Sequence, residues 1–132
     1  MSANFFDTNV ILYLLDESTK AEKAEHLIAQ GGMVSVQVLN ETLVNCIRKA
    51  AMSWQEAGVF LDSICQICPV VSLTPTTHEI GRALGERYGF SVYDAMIVAA
   101  ALQNQCTTLY SEDMQDGLLV EGRLTITNPF KS

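Results

Sequence analysis

Short apolar runs alternate along this chain with longer stretches in which apolar residues recur every three or four positions. "ANFF" (3–6) is extended in character and ends at Asp7. "VILYLL" (10–15) restarts with helical spacing after Asn9, a residue type favoured as a helix N-cap. "STKAEKAEHLIAQGG" (18–32) reads as a helix with Ser18 or Thr19 near its cap and Gly31-Gly32 past its end, and "MVSV" (33–36) as a short strand. "QVLNETLVNCIRKA" (37–50) sets Leu39, Leu43, Cys46 and Ile47 on one helical face and Glu41, Asn45 and Arg48 on another. "SWQEAGVFLDSICQI" (53–67) opens at a Ser53–Glu56 capping box, and "VVSL" (70–73) is a β-branched strand. "TPTTHEIGRALGERYG" (74–89) offers Thr76 and Glu79 as a second capping box and Gly89 as a stop. Ser91 and Asp94 open an apolar helix running to about Asn104, and "TTLYS" (107–111) and "RLTIT" (123–127) close the series as strands. Strands alternating with helices predict an α/β fold with a mainly parallel sheet covered on both faces.

Length and composition narrow the setting. With 132 residues and 48% hydrophobic content, the chain suits one domain spanning 1–132 with a single core. No apolar run reaches the roughly 18–20 residues that a membrane span requires; "AMIVAAAL" (95–102) has the length of a buried helix segment. "MSANFFDTN" has no basic stretch leading into an apolar one, so it does not read as a signal peptide, and a cytoplasmic protein is expected. The four cysteines, Cys46, Cys65, Cys68 and Cys106, read as reduced, buried thiols. Cys65 and Cys68 form a C-x-x-C with no second ligand pair, at the end of a helical pattern rather than the start of one, which speaks against zinc or redox chemistry. The net charge of −7 argues against a nucleic-acid partner only while every carboxylate is uncompensated; acids that ligate cations are offset locally.

In parallel α/β sheets, functional groups gather at the carboxyl ends of strands, so the acids just after strands are the informative ones. Asp7 follows "NFF", and Asp113 and Asp116 follow "TTLYS". Glu41 lies on the polar face of its helix, in the part nearest that edge. Asp94 fits a capping box with Ser91, where the helix dipole favours the ionised form that a hard cation also requires. "LYSEDMQDG" (109–117) is not a calcium loop: with Gly117 at the sixth position of an EF-hand, the third falls on Met114 and the twelfth on Arg123, neither an oxygen ligand. His26 and His78 both fall where surface residues are expected, so neither is a candidate acid or base.

"FFDTNVILYLLD", "VSVQVLNE", "SVYDAMIVAAAL" and "LYSEDMQDG", in this order, resemble the PIN-domain ribonucleases, and more closely the VapC-type toxins of bacterial toxin–antitoxin pairs. The resemblance spans essentially the whole chain. It implies a three-layer α/β/α sandwich around a mostly parallel sheet, and hydrolysis of RNA phosphodiester bonds by a metal-activated water, leaving a 5′-phosphate and a 3′-hydroxyl. It implies Asp7, Glu41, Asp94 and Asp113 as the catalytic acids, with Asp7, Asp94 and Asp113 holding Mg²⁺ or Mn²⁺. Asn9, Ser111 and Asp116 are then supports, with Ser111 standing where threonine is commoner, and Glu112 turns to solvent. Asn45 and Arg48, along one helix stripe from Glu41, are candidate RNA contacts, with Lys49, Arg82 and Arg87 behind them. A cognate antitoxin and a homodimer are the implied protein partners.

Two rivals stand beside this reading. A PIN-like module could keep the acidic pocket to bind RNA or protein without turnover. A phosphoacceptor receiver domain also places acids at strand ends, but it requires a lysine at a late strand end that "TTLYSED" does not supply.

Overall fold

The computed structural model describes residues 3–131. The chain runs β1 (Asn4–Phe6), α1 (Thr8–Leu12) continued by a 3-10 turn (Tyr13–Leu15), α2 (Thr19–Ala29), β2 (Val34–Ser35) and α3 (Val36–Arg48). It continues through α4 (Trp54–Ile67), β3 (Val70–Val71), α5 (Pro75–Tyr88), α6 (Val92–Gln103), β4 (Thr108–Tyr110), β5 (Leu119–Val120) and β6 (Leu124–Thr127). Four strands form a sheet in the order β1-β4-β6-β5, and β2 pairs with β3. Phe6 N donates to Met33 O (2.9 Å) and Met33 N to Asn4 O (3.0 Å), which ties the approach to β2 onto β1. All strand pairs are parallel except the β5–β6 hairpin. This is the α/β architecture that the alternation predicts.

Phe5 and Phe6 are consecutive residues of β1, so they point to opposite sides of the sheet, and both are fully buried. A strand covered on both faces is the signature of a central strand between helical layers. Leu109, Leu124 and Ile126 extend the core along β4 and β6. Along α6, Ala95 and Ile97 to Leu102 are all buried, which explains why "AMIVAAAL" shows no polar stripe. Its small residues let α5 approach closely: a Cβ at Gly81 would sit 2.5 Å from the Met96 sulfur, and one at Gly85 3.6 Å from the Ala95 Cβ.

Local signals decide where the elements start and stop. The Ser53–Glu56 capping box on α4 is present, Ser18 caps α2, and Gly89 ends α5 with φ +76°. The box on α5 is Thr74–Thr77, not Thr76–Glu79, because Pro75 takes the first helical position, where its missing N–H costs nothing. Asn9 is not the cap of α1; Asp7 is, its side chain accepting from Thr8 N. On α3 the buried face is Val38, Thr42 and Cys46, and Leu39, Leu43 and Ile47 are only partly covered. Cys65 is exposed, unlike the other three thiols. "MVSV" and "VVSL" each contribute only two strand residues. β5 has no counterpart in the patterning: Glu121 (φ 50°) and Gly122 (φ 67°) make the tight turn that folds it onto β6.

Two glycines should respond oppositely to alanine. At Gly32 a Cβ would fall 2.3 Å from the buried Phe6 ring, so Gly32→Ala is expected to lower stability by about 1–3 kcal/mol. Gly58, inside α4, has nothing within 4 Å of its Cβ position, and Gly58→Ala is expected to add about 0.5–1 kcal/mol. Urea midpoints of the two variants check this.

Candidate active site

β1 has β4 on one flank and the segment leading into β2 on the other, so chain connections depart in both directions from its carboxyl end. Such a switch point leaves a crevice at the strand ends. The register pairs Phe6 with Tyr110, which sets the next residues, Asp7 and Ser111, side by side. Asp7 N donates to Tyr110 O at 3.0 Å, and Ser111 Oγ donates to Asp7 Oδ2 at 2.7 Å. Thr8 N donates to Asp7 Oδ1 at 2.7 Å. Asn9 Nδ2 reaches Asp7 Oδ2 (3.3 Å) and Asp113 Oδ2 (3.1 Å), while its Oδ1 accepts from Glu112 N (3.1 Å). Asn9 thus joins the acid after β1 to the acid after β4.

The other two acids come from helices. Ser35 ends β2 and caps α3, which brings Glu41 to the same crevice. Its carboxylate accepts from Thr8 Oγ1 (3.0 Å) and from Gln37 Nε2 (2.7 Å), one turn back on the helix. Asp94 lies in the first turn of α6, where its N–H donates to Ser91 Oγ at 3.4 Å. Asp7, Glu41, Asp94 and Asp113 all line one open cleft of about 600 Å³, together with Asn9, Asn45 and Lys49.

Crowding of carboxylates marks the site electrostatically. Burial, only partly offset by the bonds from Ser111 and Thr8 and reinforced by Asp94 and Glu41, raises the Asp7 pKa from 3.8 to about 6. Burial also raises that of Asp94; Ser111's counterpart there, Ser91, opposes the shift, and Glu41 and Asp113 add to it. Among the described residues, no three His, Cys, Asp or Glu side chains form a compact coordination group. Protein donors orient the carboxylates instead. The donor set is nonetheless all oxygen and anionic, a chemistry compatible with a divalent cation.

Several sequence expectations need correction. Asp116 does not support the cleft: it accepts from Asn128 N (2.8 Å) and lies 3.4 Å from Lys131 Nζ, so it fastens the C-terminal turn. Glu112 does not turn to solvent. It pairs with Lys20 (2.7 Å) and accepts from the Tyr13 hydroxyl, which hold its pKa below the ordinary value. Arg87 is committed to Glu121 (2.7 Å), where it pins the β5–β6 turn, and Arg48 and Arg82 are exposed and absent from the cleft lining. Among the described residues, the cation that does line the cleft is Lys49. Thr8 and Gln37 escaped the sequence reading, although the four-residue spacing from Gln37 to Glu41 on one helix was a usable signal.

Fold and site together define an α/β/α domain whose sheet edge opens into a carboxylate-lined cleft. The PIN domain family model matches residues 5–115, and the chain belongs to that family. No curated relative matches it by sequence. Among solved structures, it is similar to a toxin–antitoxin complex from Klebsiella pneumoniae, with a TM-score of 0.76 and 17% identity over 98% of this chain and 99% of that one. It is also similar to VapC20 of Mycobacterium tuberculosis, a sarcin-ricin loop cleaving toxin (TM-score 0.68, 22% identity, 83% and 89% covered). VapBC2 from Rickettsia felis, bound to a DNA fragment of its promoter, gives 0.67 at 16% identity, with 95% and 97% covered.

The Asp7 environment sets a pH dependence. Its pKa is higher folded (about 6) than at the ordinary 3.8, so between these values the folded state holds the extra proton. Stability of metal-free protein should therefore fall as pH rises from about 4 to 6 and then level, a loss approaching about 3 kcal/mol from this group. Asp7→Asn, which removes the charge but disturbs the bonds from Ser111 and Asn9 to Oδ2, is expected to stabilise chelator-treated protein by about 1–2 kcal/mol at pH 7.5 and not at pH 4. Urea unfolding at both pH values tests it.

Proposed function

We propose that the protein is a metal-dependent endoribonuclease, the toxin of a type II toxin–antitoxin pair. The observation that carries this reading is the convergence of Asp7, Glu41, Asp94 and Asp113 on one cleft from four separate elements. Family membership and the toxin structures that share the fold support it. Asp7, Asp94 and Asp113 would hold Mg²⁺ or Mn²⁺, with Glu41 facing them. The cation, when bound, supplies charge neutralisation and Lewis acidity at the scissile phosphate.

This chain's own residues do the rest. Ser111, Thr8 and Asn9 fix Asp7 with both oxygens occupied by donors, so the carboxylate cannot rotate away. Thr8 and Gln37 hold Glu41 in the same manner. A carboxylate of this set accepts the proton of the attacking water, since both histidines are exposed and neither lines the cleft. Asn45 and Lys49, one and two turns beyond Glu41, present an amide and an ammonium where the flanking RNA backbone would lie. A cognate antitoxin covering the cleft and a second copy of the chain are the proposed protein partners. The exposed side chains of Trp54, Val59, Val92 and Tyr93 supply apolar surface for such contacts.

Purified protein should cleave RNA with Mg²⁺ or Mn²⁺ and stop with chelator, and Asp7→Asn or Asp94→Asn should each lower kcat/KM by about 100-fold or more. Cleavage that persists in both variants would overturn the nuclease assignment. Metal binding without cleavage of any RNA offered would mark a binding module instead.

Lys49→Ala should raise KM several-fold, leave kcat unchanged, and reduce the slope of log affinity against log salt by about 0.7 for single-stranded RNA. Binding isotherms on the Asp94→Asn background separate this effect from turnover.

A further inference from the structure

The Asp113 carboxylate accepts from Asn9 Nδ2 at 3.1 Å. It is exposed, and it sits on the loop after β4 rather than on a helix. Its neighbour Glu112 is held far more firmly. Lys20 Nζ lies 2.7 Å from Glu112 Oε2 and donates to Tyr13 Oη at 3.0 Å, and the Tyr13 hydroxyl donates to Glu112 Oε1. The same ammonium stands 4.7 Å from the Tyr13 ring centroid and 5.8 Å from that of Phe130, which packs edge-on against Tyr13 at 4.6 Å. On the backbone side, Glu112 N donates to Asn9 Oδ1, and Asn9 Nδ2 donates to Asp113. The residue before Asp113 is thus fixed at both its side chain and its main chain.

We propose that Tyr13, Lys20 and Glu112 form a latch that holds the 111–115 loop and so positions Asp113 at the cleft, making Lys20 a positioning residue for cation binding. The inference rests on the metal-dependent reading of the site. An exposed ion pair on its own contributes little, but this one is triangulated by a hydroxyl and two rings, and Glu112 keeps only 25% of its side chain accessible. The latch has a second effect. Glu112 lines the cleft, and its pairing with Lys20 keeps it from acting as a competing ligand. The residue just past the loop supplies a control: Asp116 pairs with Lys131 at 3.4 Å, more exposed, with its other bond going to Asn128 rather than to the cleft.

The test uses the whole chain, with two readouts. Amide hydrogen exchange across 109–115 reports the loop, and calorimetric Mn²⁺ titration without RNA reports the site. Lys20→Met and Glu112→Gln are expected to speed exchange in this segment and weaken Mn²⁺ binding about 10-fold. Lys20→Arg should restore most of the affinity, and Lys131→Met should change neither readout. The loss in kcat/KM should recover at raised Mn²⁺. Unchanged exchange in Lys20→Met overturns the latch. Faster exchange with unchanged Mn²⁺ affinity, or tighter binding through a freed Glu112, overturns the positioning role. Wild-type protein that binds no Mn²⁺ overturns instead the metal-dependent reading on which the role rests.

Discussion

A carboxylate buried at the end of the central strand governs this structure. Asp7 is 3% exposed, and it caps α1, accepts from Ser111 just past the adjacent strand and from Asn9 two residues on. An ionised acid in that position is costly unless each oxygen is satisfied and a compensating charge is near. The hydrogen bonds meet the first requirement. Asp94 and Glu41 work against the second by repulsion, which disfavours the charged form of Asp7. A fold that tolerates this arrangement must hold it from outside, and the doubly covered strand carrying Phe5 and Phe6 does so.

That rigidity is unevenly distributed. Asp7 and Glu41 are fastened by several donors each, on the strand end and the helix behind it. Asp94 inherits its position from a helix buried along most of its length. Asp113 has no such scaffold, and the loop that bears it leans on contacts from α2, the turn after α1 and the C-terminal segment. A divided site of this kind can keep three corners constant while the fourth is adjusted by residues far off in sequence.

Much of the fold was legible because burial is periodic. "NFF", "TTLYS" and "RLTIT" announce strands, and the Ser53–Glu56 box and Gly89 mark helix ends through chemistry confined to a single turn. The legible part of the site has the same origin: acids placed just after strands must emerge at one edge of a parallel sheet. The misreadings share a cause too. Asn9 has the residue type of a cap, but the helix already begins at Thr8, so Asp7 takes the cap. Thr76 and Glu79 lost their box to Pro75. β5 is two residues long and mostly defined by its turn, so no periodicity could show it.

The chain by itself therefore determined the succession of strands and helices, their approximate limits and the set of acids able to meet at a strand edge. These depend on short-range spacing, which a sequence states directly. Tertiary structure decided the partners. That Asn9 bridges Asp7 to Asp113, that Lys49 rather than Arg48 faces the cleft, that Glu112 is bound to Lys20 and that Asp116 belongs to the C-terminal turn all follow from strand register and helix rotation. Contacts between residues about a hundred positions apart are fixed only when every intervening element has packed, and a shift of one residue in any of them would send these side chains elsewhere.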